Sequence, residues 1–136
     1  HQNDLDREDA VKRSLCIHNL DGTPYKIPEG HWFPGSMIPD FTNPETCITW
    51  FGKRQYLLDM GVDGFKTDGG EFVCTDAVSF YDGSTGKESR NYYPQQYTKA
   101  YTQFLGSIQH RAIGVGISSP QMMNCGMSFP QGLVQL

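Results

Sequence analysis

With 136 residues, 38% of them hydrophobic and 19% charged, the chain has the composition of one globular domain with a modest core rather than of a disordered segment. A net charge of −4, with no Lys/Arg run longer than a pair, argues against nucleic acid or an anionic membrane surface as its main partner. No apolar stretch reaches the ~18 residues that cross a bilayer, and no charged n-region precedes an apolar h-region as in a signal peptide.

The first residue is His1 rather than Met, so the natural start is expected to lie upstream. Residues 4–13, "DLDREDAVKR", are good helix formers and read as the tail of a helix. "NLDGTPYKIPEGHWFPGS" comes after it, rich in Gly and Pro, and reads as turns joined by short extended pieces. "MIPDF" reads as a brief strand. A helix start comes next, with Asn43 as N-cap, Pro44 at the first helical position and Glu45 near the positive end of the dipole. Cys47, Ile48, Phe51, Leu57 and Leu58 give that helix an apolar side, and Gly61 supplies its stop.

"VDGFKTD", short and bounded by glycines, reads as a buried strand, succeeded by a polar loop over Gly69 to Arg90. Asn91 and Pro94 open a second helix, in which Tyr93, Tyr97, Tyr101 and Phe104 recur at core spacing. Strand, helix, strand, helix in so few residues predicts parallel βα units. The expected fold class is α/β, a partial (β/α)8 TIM barrel of about two βα units, since a closed barrel takes about 250 residues. Residues 1–105 would be the barrel part and 106–136 an irregular tail with neither a helical nor an alternating period.

Side chains two apart on a strand point the same way, so Lys66 and Asp68 share a face, with Asp68 at the C-terminal end where barrel active sites are built. A nearby ammonium favours the charged form of a carboxylate, which suits a nucleophile or an electrostatic stabiliser. Gly69 and Gly70 carry no side chain to block a ligand. An ion pair of this kind before a turn also occurs for structural reasons alone. The four cysteines, Cys16, Cys47, Cys74 and Cys125, form no CxxC pair, and the histidines show no ligand spacing. A zinc ribbon and a disulfide framework are therefore not expected, and a reducing, cytoplasmic context is. "GSTGKES" lacks the spacing of a P-loop and reads as a solvated turn. Asp68 and Glu71 alone are thin support for a metal.

"YKIPEGHWFPGSMIPDFTNPE", then "LLDMGVDGFKTDGGE" and the later "YYPQQYTKAY", resemble glycoside hydrolase family 31, the retaining α-glycosidases and α-xylosidases. The similarity runs from about Arg13 to Leu105 with the motifs in the family's order. The resemblance implies hydrolysis of α-glycosides by double displacement, with a carbohydrate substrate and neither cofactor nor metal. It implies that Asp68 is the catalytic nucleophile, that Lys66 contacts a sugar hydroxyl and that Trp32 contributes a wall of the subsite. Asp40 and Glu71 are expected to be structural or supporting. Retaining hydrolysis needs two carboxylates, typically about 5–5.5 Å apart. The family's acid/base lies in a W-x-G-D segment, and this sequence contains none.

The tail offers a reason. Reverse-translated and read in a shifted frame, Ala112 to Ile117 permits Y-W-S-G-D, and Gln121 onward permits a helix like the one after the family's acid/base. A frame-shifted acid/base region is therefore expected, and these residues alone are expected to be inactive. The alternative is a non-catalytic carbohydrate-binding remnant that uses Trp32 and aromatic loops.

Overall fold

The computed structural model describes residues 4–107 and the strand pair 134–135. The predicted irregular tail and its shifted-frame motifs fall, apart from that pair and Gly106–Ser107, outside the described residues.

Helix α1 (Asp4–Lys12) buries none of its residues. It is tied to the next helix by exposed ion pairs, Lys53–Asp6 at 2.6 Å and Arg13–Glu45 at 2.6 Å, of a kind that contributes little individually. Strand β1 (His18–Asn19) and its flanks then form an antiparallel meander with residues 23–27 and 36–40. Its bonds include Ile17 N to Ile38 O at 3.0 Å, Tyr25 N to Ile17 O at 3.0 Å and Asp40 N to Leu15 O at 2.9 Å. "MIPDF" is thus extended as predicted, but joins through isolated bridges, Lys26 to Met37 and Cys16 to Pro39. Pro24, Pro28 and Pro39 lack the N–H that a continuous ladder needs.

The predicted capped helix is present as α2 (Pro44–Gly52), where the Asn43 side chain accepts from Glu45 N at 2.9 Å. It does not run on to Gly61. A break at Lys53 and Arg54 separates α2 from α3 (Gln55–Asp59). An unbroken helix would give the Trp50 carbonyl to the Arg54 N–H. Here the Arg54 guanidinium takes that carbonyl at 2.7 Å, while Arg54 N turns to Phe51 O at 2.9 Å. The guanidinium also stacks on the Trp50 ring at 3.6 Å, an arrangement that offsets the lost helical bond. Gly61 ends α3 as expected, at φ 102°, with Gly61 N bonded to Leu58 O and Val62 N to Leu57 O, both at 3.0 Å, the paired bonds of a Schellman stop.

Strand β2 (Phe65–Lys66) is shorter than the predicted seven-residue element and pairs in parallel with β4 (Val134–Gln135), Phe65 opposite Val134. The stretch read as one polar loop holds two elements: β3 (Val78–Ser79), antiparallel to β1, and α4 (Gly86–Ser89). "GSTGKES" is therefore not a solvated turn but a helix start with a Thr85–Glu88 capping box, and Gly86 and Ser89 are buried. A Cβ at Gly86 would collide with the Thr75 carbonyl, so glycine alone fits there. Helix α5 (Tyr93–Gly106) is present as predicted. Among the described residues the architecture is a small mixed helix/strand unit with two two-stranded sheets, one parallel and one antiparallel. The antiparallel pair departs from the strictly parallel βα reading.

Two apolar clusters hold these elements. One packs Ile17, Tyr25, Ile27, Ile38, Val73, Val78, Phe80 and Tyr93; the other packs Phe51, Leu58, Phe65, Ala100, Tyr101 and Leu105. Phe41 and Tyr97 pack against both, with their rings stacked at 5.6 Å. No helix among the described residues is long and apolar enough to cross a membrane.

Candidate functional site

The period-two alternation holds across 65–68: Phe65 and Thr67 are buried, whereas Lys66 is half-buried and Asp68 exposed. Lys66 and Asp68 therefore project together, and Lys66 Nζ lies 3.1 Å from Asp68 Oδ2. The Asp68 side chain keeps 52% of its surface open, enough for one carboxylate oxygen to meet a ligand. On the inner side the Phe65 ring meets Tyr101 edge-on at 5.7 Å and lies 6.2 Å from Phe104.

Directly after Asp68 the chain turns. Gly69 has φ 76°, which favours glycine, and a Cβ there would sit 3.1 Å from the Phe72 ring. Gly69 thus lets the chain fold back so that Phe72 covers the turn. Tyr25, whose phenol burial pushes up to about 12, fixes the chain at Phe72 and Cys74. Its hydroxyl donates to Phe72 O at 2.9 Å and accepts from Cys74 N at 3.1 Å.

Trp32 sits on the loop between Ile27 and Ser36, pinned at its base by Ile27 N to Ser36 O at 2.9 Å and Gly35 N to Ile27 O at 2.8 Å. The indole is 77% exposed. Its neighbour Phe33, at φ 60°, meets Phe72 edge-on at 6.2 Å. The structure therefore brings Lys66 and Asp68 into contact and ties the Trp32 loop to the Asp68 turn through Phe33 and Phe72. Asp40 is buried and accepts from Thr42 N, Thr42 Oγ1 and Tyr81 N at 2.9, 2.6 and 2.6 Å, which is a structural clamp, as expected. Glu71 is exposed.

Tyr97, which sequence spacing assigns to the core, packs against both apolar clusters. The Tyr97 ring stacks on Phe41 at 5.6 Å and meets Tyr101 edge-on at 5.3 Å. Burial pushes the Tyr97 phenol well up, with the Tyr101 phenol and the Asp68 carboxylate adding to the rise and the Asp68 N–H and Arg54 guanidinium opposing it. Helical spacing marks Tyr97 as inward-facing, and its ring contacts bear this out. No group of three or more His, Cys, Asp or Glu side chains that could hold a metal occurs among the described residues.

The arrangement offers an accessible carboxylate beside a cation, before a turn opened by Gly69, with an exposed indole on a loop tied to that turn through Phe33 and Phe72. Comparison with known proteins identifies the family of the chain. Residues 3–120 match the glycosyl hydrolases family 31 TIM-barrel domain. The isomaltosyltransferase of Sporosarcina globispora is 39% identical over 132 residues, 96% of this chain and 12% of that protein. The alpha-xylosidase XylQ of Lactiplantibacillus pentosus is 47% identical over 75 residues, 54% of this chain and 10% of the relative. Among solved structures, the cycloalternan-forming enzyme from Listeria monocytogenes in complex with pentasaccharide substrate superposes with a TM-score of 0.76 at 38% identity, over 78% of this chain and 10% of that one. The chain spans 10–12% of the length of these relatives.

Proposed function

The chain belongs to glycosyl hydrolase family 31, and on that footing we propose that it carries the nucleophile half of a retaining α-glycosidase site. Asp68 is the nucleophile, Lys66 binds a hydroxyl of the reacting sugar, and Trp32 lays its indole against the sugar's C–H face. The observation that carries the reading is the half-exposed Asp68 carboxylate held 3.1 Å from the Lys66 ammonium at the end of β2. The family domain is a TIM barrel, and the parallel β2–β4 pair is what a two-unit piece of one would contain.

In the first step an Asp68 oxygen attacks the anomeric carbon, the bond to the leaving oxygen breaks, and that oxygen takes a proton from a general acid. In the second, water attacks the same carbon, the bond to Asp68 breaks, and the water's proton goes to the group that gave the first. A sugar hydroxyl in place of water turns hydrolysis into transfer, and the similarity to an isomaltosyltransferase makes the acceptor worth testing. The W-x-G-D segment that would supply the acid is absent from these residues. Sequencing the gene across Gly106 tests whether a shifted frame restores it.

The enzymatic test is Asp68→Ala in the full polypeptide the gene encodes. Turnover of an aryl α-glycoside should fall at least ~10³-fold, as expected for loss of a nucleophile. Azide should restore it and yield the β-glycosyl azide, because azide then enters from the face Asp68 occupied. Unchanged turnover would remove Asp68 from the mechanism. Sugar binding that survives the substitution in a protein that never turns over would favour the binding-remnant reading, for which the exposed Trp32 is the supporting feature.

A further inference from the structure

Resting on the reading of Trp32 as a wall of the sugar subsite, we propose that Phe33 is the positioning residue of that wall, seating the Trp32 loop on the turn that follows Asp68. Residues 28–35 are all exposed, so burial does not set where the indole stands. The loop's backbone bonds, among them Gly35 N to Ile27 O at 2.8 Å and Ser36 N to Phe33 O at 3.1 Å, close it on itself rather than on a neighbour. Two side chains reach across to the 69–74 segment. His31 makes a loose tie, with Nδ1 4.0 Å from Cys74 Sγ. Phe33 makes the better one: its ring meets Phe72 edge-on at 6.2 Å, a separation and angle that aromatic pairs favour.

Phe33 holds that contact at a backbone cost. Its φ of 60° is left-handed, a conformation that a bulky residue rarely adopts and that glycine or asparagine takes more readily. The residue is 62% exposed, so it adds little to the core. What a phenylalanine secures at this position is the ring contact with Phe72. Phe72 in turn is a fixed seat. A Cβ on Gly69 would lie 3.1 Å from its ring, so the ring rests on the turn that Asp68 enters. The hydroxyl of the buried Tyr25 holds the chain on both sides of Val73, donating to Phe72 O at 2.9 Å and accepting from Cys74 N at 3.1 Å. Trp32 and Asp68 are thereby referred to one ring: Trp32 adjoins Phe33, which meets Phe72, and Asp68 adjoins Gly69, which lies under it.

Phe33→Asn in the full polypeptide deletes the ring and keeps a residue tolerant of positive φ; Phe33→Tyr keeps the ring. With an aryl α-glycoside, Phe33→Asn should raise KM by about three- to tenfold, the range that an aromatic pair is worth. The change should fall on KM rather than kcat, because a wall grips the sugar in the ground and transition states alike. Phe33→Tyr should restore KM, and the melting temperature of Phe33→Asn should match wild type. Trp32→Ala should raise KM by itself. In that background Phe33→Asn should add less than about twofold, because Phe33 acts through the indole. An equal effect of Phe33→Asn in both backgrounds overturns the proposal, as does an unchanged KM in Phe33→Asn when Trp32→Ala raises it. If Trp32→Ala leaves KM at wild type, the wall reading itself falls first. Should Phe33→Asn fail to fold, Phe72→Leu removes the same ring contact from the other side, and the same cycle with Trp32→Ala decides.

Discussion

Just past the end of β2, Asp68 presents a half-exposed carboxylate beside the half-buried Lys66. Lys66 is legible beside it because a strand repeats every two residues, and the structure sets the two side chains 3.1 Å apart. Tyr97 is legible from its helical spacing as a residue that packs against the core. Lys66→Met keeps the apolar stem and deletes the ammonium. In the full polypeptide it is expected to lower kcat/KM by about 10- to 100-fold, the equivalent of about 1.5–3 kcal/mol for a charge-assisted hydrogen bond. Steady-state kinetics on one α-glycoside checks this, and an unchanged kcat/KM would reduce Lys66 to a surface ion pair.

Among the elements, those with local signals are legible in the sequence and those made by tertiary contacts are not. Asn43, Pro44 and Glu45 announce α2, and Gly61 announces the end of α3, because capping is chemistry between near neighbours. The break between α2 and α3 has no such signal, since it depends on Arg54 reaching back to the Trp50 carbonyl and ring. β3 and α4 are hidden in a polar stretch whose only strong apolar residues beyond Cys74 are Val78 and Phe80. That stretch makes a sharp prediction. Gly86→Ala would drive a Cβ into the Thr75 carbonyl and against Val78, whereas a Cβ at Gly106 meets nothing within 4 Å. Gly86→Ala should destabilise by about 1–3 kcal/mol, and Gly106→Ala should not. Urea midpoints of the two variants check it, and equal midpoints would contradict the packing of α4.

At the scale of the whole molecule, Phe41 and Tyr97 join the two apolar clusters. Phe41→Ala opens both and is expected to cost about 3–5 kcal/mol, read as a lowered urea midpoint. The core also sets a limit at high pH. Burial raises the Cys16 thiol from 9.0 to about 11, with the Asp40 carboxylate adding to it. Below pH 9 the thiol is neutral folded and unfolded, and its burial is fully favourable. Between pH 9 and about 11 the unfolded chain releases the proton while the folded one keeps it, so stability falls by up to about 2–3 kcal/mol. The Tyr25 phenol, raised from 10.0 to about 12, extends the decline upward. Cys16→Ala should flatten the first part of that decline in melting temperature against pH, and an unchanged slope would show that the thiol is not what titrates. The family's barrel is legible only through ordered motifs, because the described residues carry few of the strand pairings that define one. Among the described residues the sheet partner of β2 is the single pair 134–135.

The measurement that bears most directly on the function is covalent trapping with a 5-fluoro-α-glycosyl fluoride and peptide mass spectrometry of the product. Fluoride leaves without protonation, so the experiment probes the nucleophile independently of the general acid. If Asp68 is the nucleophile, the label appears on the peptide that contains Gly61–Val73, is confined to Asp68 and disappears in Asp68→Ala. A label on another carboxylate, or one that persists in Asp68→Ala, would contradict the assignment.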